Sequence, residues 1–548
     1  MILAKHIKSA LLISLVAMAA GCTKLNENLE SSLTSGQAAS ALGPEGTGLL
    51  LKTAYADLAG PLHSQDLLFS LQENTTDESL VATRGGDWDD NGVWRVLHSH
   101  NWDANHGQIL NVFNSLNKLN FDATNVMAFN PSARQKAEAT FLRALTLFYQ
   151  LDLFGQYPFR NPGDDLLKPP VVKSGADAIN FIITELTTAL PDLSDSVTVD
   201  LASKNAARTL LMKCYLQKGA IINKAAPTFD AADMQQVITL GNQIINSGRY
   251  SYGTEYFDQF SVDKGGLNTR ESIFAYPNAS GVSVNHGNIE ARWMMTLHYN
   301  SYTPSNPNSG WNGFATTAEF YSSFGAAAPV VYGPADAALD SRIGGRAYQG
   351  STNISGIRPG FLVGQQFNES GVALKDRKGN NLAYTPQIAA NQVETGNDLE
   401  IRGIRVVKYV PDFSSSGKYY AGPAGNWLNI FRYADVVLMV AEARMRTGDL
   451  AGGRTMVNAL RAARNAAPIA NLTLVNTTNV NDPNTLLSER GRELYWESVR
   501  RTDLLRFGVF LKAWGLKPAD TGGDKNLLFP IPNQALAANP NLKQNPGY

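Results

Sequence analysis

The sequence predicts a mainly α protein: helices in tetratricopeptide-like pairs carrying a large irregular, loop-rich part. Three observations lead there. Apolar residues recur at three- and four-residue spacing over long stretches of both ends of the chain, the pattern of amphipathic helices. Several of these stretches come as pairs joined by Gly or polar turns. Between them, residues 250–430 are rich in Gly, Ser, Asn, Pro and Tyr, with no helical period apart from 316–324. An irregular insertion braced by helices is where binding loops are expected.

Residues 1–21, MILAKHIKSALLISLVAMAAG, place Lys5 and Lys8 ahead of an apolar run over 10–20 and end on Ala19, Ala20 and Gly21. A bilayer needs about 20 apolar residues, so this run is too short to span one. It reads as a secretory signal peptide. Cys22 follows at once. The arrangement resembles a bacterial lipobox, whose cysteine is acylated and becomes the mature N-terminus, with Ala19 standing where Leu is usual. Ordinary cleavage with an incidental Cys22 is the alternative reading. Residues 23–35 are polar, without apolar period, and read as a tether.

Of 548 residues, 44% are hydrophobic and 17% charged, enough for a large core and more than one substructure. Removing 1–21 takes Lys5 and Lys8 from 47 basic side chains and none of the 48 acidic ones, moving the formal charge from −1 to −3. A near-neutral surface gives no electrostatic case for nucleic acid or an anionic membrane. No later segment reads as a transmembrane helix, so the membrane would be met only through an N-terminal lipid. The second cysteine, Cys214, lies in an apolar helical run and reads as a small core residue. With no disulfide framework, the core must hold the fold.

Helices are expected at 102–120, 137–154, 175–190, 204–219, 231–247, 433–447, 450–465 and 485–512. The clearest is 137–154, where Phe141, Leu145, Phe148 and Leu151 share one face, Gly155 stops the helix and Pro158 follows. The best pair is 433–465. There Ala441 and Ala443 allow close approach and Gly448 breaks the chain before a second amphipathic helix.

Four stretches together have a family look: AEATFLRALTLFYQLDLFGQYPF (137–159), IFRYADVVLMVAEARMRTGD (430–449), ERGRELYWESVRRTDLLRFG (489–508) and FPIPNQALAANPNLKQNPGY (529–548). In this order they resemble the SusD/RagB family of outer-membrane nutrient-binding lipoproteins. The resemblance implies a tetratricopeptide-like superhelix with an irregular ligand-binding part. It also implies a SusC-like, TonB-dependent transporter as partner and an outer-membrane, lipid-anchored, surface-exposed location. The chain then divides into a signal peptide (1–21), lipidated tether and lead-in (22–43), SusD-like N-terminal helical region (44–249), irregular part (250–430), and C-terminal helical region with extended tail (431–548). Arg432, Asp435 and Glu442, like Arg500, Arg501 and Asp503, sit at helical spacing and read as structural ion pairs, since buried charges need partners. Pro530, Pro532, Pro540 and Pro546 suggest an extended tail laid on the body.

No catalytic constellation stands out: there is no G-x-S-x-G, H-E-x-x-H or G-x-x-x-x-G-K-[ST]. Asp77 with Glu78, and Asp87, Asp89 and Asp90, supply carboxylates that read as solvated rather than as a glycosidase pair. His98, His100 and His106 near Asp103 lack the spacing of a metal site. No enzyme, metal or cofactor is expected.

The aromatic residues point to binding. Trp88 and Trp94 flank DWDDNGVW, and Trp293, Tyr299, Tyr302 and Trp311 lie within ARWMMTLHYNSYTPSNPNSGWNG. Exposed rings offer flat apolar faces to sugar C–H groups, and neighbouring Asn and Asp bond hydroxyls. Trp102, Trp427 and Trp496 sit in helical or signature runs and read as structural. An oligosaccharide is the expected ligand. A peptide, and a structural surface protein without ligand, are the alternatives.

Overall fold

Consecutive helices pack on one another in a single row that the chain leaves twice, between residues 57 and 106 and between 247 and 432, and rejoins each time. The computed structural model describes residues 35–282, 289–301, 310–325, 340–344, 358–367, 372–412 and 423–548. The expected signal peptide, Cys22, most of the expected tether and Tyr302 lie outside them. The row runs through Ser35–Ala56, Gly107–Ala128, Ala133–Phe154, Gly175–Ala189, Lys204–Ile222, Ala231–Asn246, Tyr433–Arg446 and Leu450–Ala463. The irregular part is therefore an insertion between two helices that touch, Ala231–Asn246 and Tyr433–Arg446. That contact is tight: a Cβ on Gly241 would lie 2.2 Å from Val440 Cγ2 and 2.9 Å from Met212 Cε.

Local chemistry sets the helix ends. Ala133–Phe154 starts in a capping box: Ser132 Oγ accepts from the Gln135 N–H at 3.3 Å and Gln135 Oε1 from the Ser132 N–H at 2.9 Å. It stops at Gly155, whose φ of +69° takes the left-handed C-terminal position. Cys214 is fully buried in Lys204–Ile222, and burial pushes its thiol pKa up.

One expected helix is two. The 485–512 stretch forms Leu486–Leu494 and Arg500–Arg506, with Trp496 (φ 58°) and Ser498 (φ 62°) reversing the chain between them. Buried carboxyls take the amides this break frees. Glu78 accepts from the Trp496 N–H at 3.2 Å and Glu73 from the Val499 N–H at 3.2 Å, while the Trp496 indole donates to the Glu78 carbonyl. Asp77 and Glu78 are thus not solvated: Asp77 takes both ends of the Arg500 guanidinium at 2.8 and 2.7 Å. The short helices Leu68–Glu73 and Val93–His98 were not expected, and all six residues of Leu68–Glu73 are buried, which erases any amphipathic period.

The inserted part is stitched by short two-stranded ladders, six across the described residues. Ser272–Tyr276 pairs antiparallel with Leu428–Arg432 where the chain leaves and rejoins the row. Leu80–Val81 pairs with Phe314–Ala315, and Thr83–Trp88 runs parallel to Val393–Glu394.

The signature charges form buried networks. Arg432 pairs with Glu271, Glu493 and Glu497 at 2.8, 3.1 and 2.6 Å, and Arg464 shares Glu271 and Glu493. Asp435 and Asp503 hold Arg490, and Glu442 holds Arg506. Arg501 departs from this pattern: it donates to the Leu527 carbonyl and lies over the Phe529 ring. The tail is laid on the body as its prolines suggest, apart from the short helix Asn533–Ala538. Asn545 donates to the Phe154 and Phe529 carbonyls, and the Trp102 indole donates to the Tyr548 hydroxyl at 2.6 Å. No helix among the described residues is long and apolar enough to cross a membrane.

Candidate ligand-binding site

The strand Thr83–Trp88 ends in a turn that throws Trp88 back over the chain. Trp88 (φ 61°), Asp90 (φ 40°) and Asn91 (φ 56°) all occupy the left-handed region. For a bulky residue this costs on the order of 1–3 kcal/mol and persists only when the surroundings impose it. They do so here. The indole lies on Gly313, where a Cβ would meet ring atoms at 2.4 Å, and its N–H donates to the Trp311 carbonyl at 2.6 Å. Trp94 and Phe314 meet it edge-on at 5.3 and 5.5 Å. The ladder between 80–81 and 314–315 brings the two segments together.

The result is a surface patch in which Trp311 is exposed (37%) and Trp88 half-buried. Beside it Tyr299, also half-buried, donates its hydroxyl to Asp87 at 2.5 Å and carries the Arg377 guanidinium 3.8 Å above its ring centre. Arg377 bridges Asp87 (3.2 Å) and Glu400 (2.6 Å), and His298 reaches Glu400 at 2.8 Å. Burial would raise the Glu400 pKa, but hydrogen bonds from His298 and Arg377 hold it down at about 2. Burial and the Asp87 carboxylate push Tyr299 up, so it stays a donor. The Asp87 and Arg377 heads remain about half exposed, an acceptor and a donor next to flat rings.

Of the expected site residues, Trp88, Trp311 and Tyr299 come together at the surface. Trp94 (5% exposed) and Trp293 (0%) do not present a face: Trp94 supports Trp88 from beneath, and Trp293 lies in the core. The same polar-loop context misled for both, because Val93–His98 and Ala291–Met294 are short helices packed inward. Sequence reasoning missed Arg377 and Glu400, which reach the site from 290 and 313 residues beyond Asp87. No local signal marks them. Asp87, considered first for catalysis, is a hydrogen-bonding member of the patch. His98 and His106 bond backbone carbonyls and His100 pairs with Asp520, so all three are engaged structurally. Among the described residues no group of His, Cys, Asp and Glu is placed to hold a metal.

A row of paired helices carrying an aromatic surface patch, with Trp311 and Tyr299 on the inserted part and Trp88 on the connection before Gly107–Ala128, defines a mainly helical scaffold protein. The chain belongs to the SusD family, whose model matches residues 270–548. It is 26% identical over 505 residues to the starch-binding protein SusD of Bacteroides thetaiotaomicron, covering 88% of this chain and 85% of that protein. Among solved structures it resembles a SusD-like protein from Bacteroides fragilis, with a TM-score of 0.66 and 20% identity over 92% of this chain and 97% of that one. It also resembles surface glycan-binding protein A of B. thetaiotaomicron in complex with laminarihexaose. There the TM-score is 0.62 and the identity 15%, covering 91% and 99% of the two chains.

Proposed function

We propose that this chain is a cell-surface lipoprotein that captures oligosaccharides on the Trp88, Trp311 and Tyr299 platform, leaves them unchanged, and delivers them to a SusC-like, TonB-dependent outer-membrane transporter. The observation that carries the binding reading is the juxtaposition of the exposed Trp311 face with the half-exposed Asp87 and Arg377 heads. Sugar rings present apolar C–H faces to such rings and hydroxyls to such heads. A few stacked rings give roughly −4 to −6 kcal/mol, a Kd from millimolar to tens of micromolar, weak enough to hand ligand onward. The relatives named starch-binding and found with laminarihexaose support a glycan as ligand. Delivery to a transporter rests on family membership. Anchoring rests on the signal-like segment before Cys22.

The test has three arms. Titrate starch oligosaccharides and laminarihexaose into the soluble body and its Trp88→Ala and Trp311→Ala variants. Unchanged affinity in both variants removes the platform, and release of shortened sugar removes the non-enzyme reading. Next, fractionate cells carrying Cys22→Ala; equal membrane partition and no acyl chain by mass spectrometry end the lipoprotein reading. Finally, pull down from gently solubilised outer membranes through a tag at Tyr548. Recovery of this protein alone, with uptake unaffected by its deletion, ends the delivery reading.

A further inference from the structure

Away from the platform, a groove of about 490 Å³ runs between the helix Gly107–Ala128, the start and end of the 160–170 loop, and the C-terminal tail. It shares no residue with the platform and has the size of ordinary small-molecule sites, about 300–1,000 Å³. Its floor is aromatic: Phe121 is 45% exposed, with Phe113 and Phe159 beside it. Its walls are amides. Asn114, Asn117 and Asn120 project at three-residue spacing from one helix face, and Gln534 and Asn539 face them from the tail.

These amides fall into two sets. Asn117 and Asn120 each donate to a backbone carbonyl, of Phe113 at 2.8 Å and of Pro158 at 3.2 Å, and Asn539 donates to the Pro170 carbonyl at 3.3 Å. Their orientation is fixed. Asn114 and Gln534 are exposed and have no partner among the described residues, leaving donors and acceptors for a ligand. Among the described residues no carboxylate lines the groove, and the cation there, Arg160, donates to the carbonyls of Asp165, Leu166 and Lys168. The tail wall is held in place through Asn545 and through the Gln544 pair with Ile531.

We propose that this groove is a second oligosaccharide site. An exposed phenyl face beside free, uncharged amides suits a neutral polyol. Arg160 keeps its charge but directs its two terminal nitrogens at backbone carbonyls rather than into the groove, and among the described lining residues there is no acid to meet a peptide's amino group. The proposal takes its ligand class from the function proposed above but not its location. It also gives the tail a role as one wall of a site. Two sites on one body would let a long glycan be held at two points, which raises its effective concentration at each.

The test uses the full mature chain with laminarihexaose and maltoheptaose as probes. No tryptophan is among the described residues that line the groove, so binding there leaves indole fluorescence unchanged while calorimetry or saturation-transfer NMR detects it; platform binding changes both. The Trp88→Ala/Trp311→Ala protein should lose the fluorescence response yet keep weak binding. Adding Phe121→Ala should weaken that residue of binding about tenfold, ~1.4 kcal/mol, and Asn114→Ala should weaken it less. No residual binding in the double variant overturns the groove and leaves the platform standing. So does residual binding indifferent to Phe121→Ala and Asn114→Ala. A wild type that binds with no fluorescence response but with sensitivity to Phe121→Ala overturns the platform and upholds the groove. Silence in both readouts overturns both. Exposed Leu166 and Leu167 on the adjoining loop raise a rival occupant, an apolar protein surface. If Phe121→Ala diminishes recovery of a membrane partner and leaves sugar binding intact, the groove is a protein contact.

Discussion

Replacing Glu73 by Gln should stabilise this protein at neutral pH and leave it unchanged at pH 4. Glu73 is fully buried one layer below the platform: it holds the Val499 amide, and Glu78 next to it holds Trp496, which packs through Phe69 on Phe314 beneath Trp88. Burial raises the Glu73 pKa from 4.5 to about 8, against the hydrogen bond with the Glu78 carboxyl, those from the Ser498 and Val499 amides and the pull of Arg500. Burial, then the Glu73 charge, raises Glu78 as well, while Arg500 is also paired to Asp77. Glu73 Oε2 is buried without a donor among the described residues, and Glu78 is its neighbour, so a proton on either carboxyl lets the two bond. A carboxyl with a raised folded pKa contributes fully below its unfolded value of 4.5, and the contribution is lost as pH rises toward 8. The loss is about 1.4 kcal/mol per pH unit across that window, on the order of 3 kcal/mol by pH 7. A Gln there still accepts from the Val499 N–H and supplies the donor that the proton supplied to Glu78. Chemical denaturation of wild type and Glu73→Gln between pH 4 and 9 should show curves that meet at pH 4 and part by a few kcal/mol at pH 8. A wild-type stability that is flat from pH 5 to 8, or a variant weaker throughout, refutes the reasoning.

The remaining expectations are simpler. Trp311→Ala should cost about 1–3 kcal/mol of oligosaccharide binding with circular dichroism unchanged. Trp293→Ala, which empties a core position, should instead cost about 3–5 kcal/mol of stability by denaturant titration. Arg500→Ala leaves the Asp77 carboxylate buried without its partner and should cost about 3–5 kcal/mol by the same assay. Gly241→Ala should lower the Tm despite the better helix propensity of Ala, because overpacking against Val440 and Met212 costs about 1–3 kcal/mol. A rise in Tm would mean those helices are not in such close contact.

The helical row was legible because its signal is local. In 137–154 the apolar period, the Gly155 stop and the following Pro158 all lie within one stretch of chain, and the observed helix matches its C-terminal end. Boundaries failed where a distant group decides them. The break at 495–499 depends on Glu73 and Glu78, more than 400 residues earlier, accepting its amides. Trp88 and Trp311 could be picked out as aromatics in polar loops, but so could Trp94 and Trp293, and nothing in the loop composition separates an indole facing water from one facing Phe314.

By itself the sequence determined the family, the mainly α class, the structural character of the signature charges and the tail pressed on the body. The family rests on the likeness of four stretches; the others rest on residue type and on spacing within one element, which fix periodicity and the need of buried charges for partners. Only the tertiary structure decided which rings reach the surface, that Arg377 and Glu400 join Asp87 there, and that helix Gly107–Ala128 and the tail enclose a groove. Each of these depends on segments more than 220 residues apart meeting. Short ladders such as 80–81 with 314–315 bring such segments together, and their strands are too brief and too buried to announce their partners.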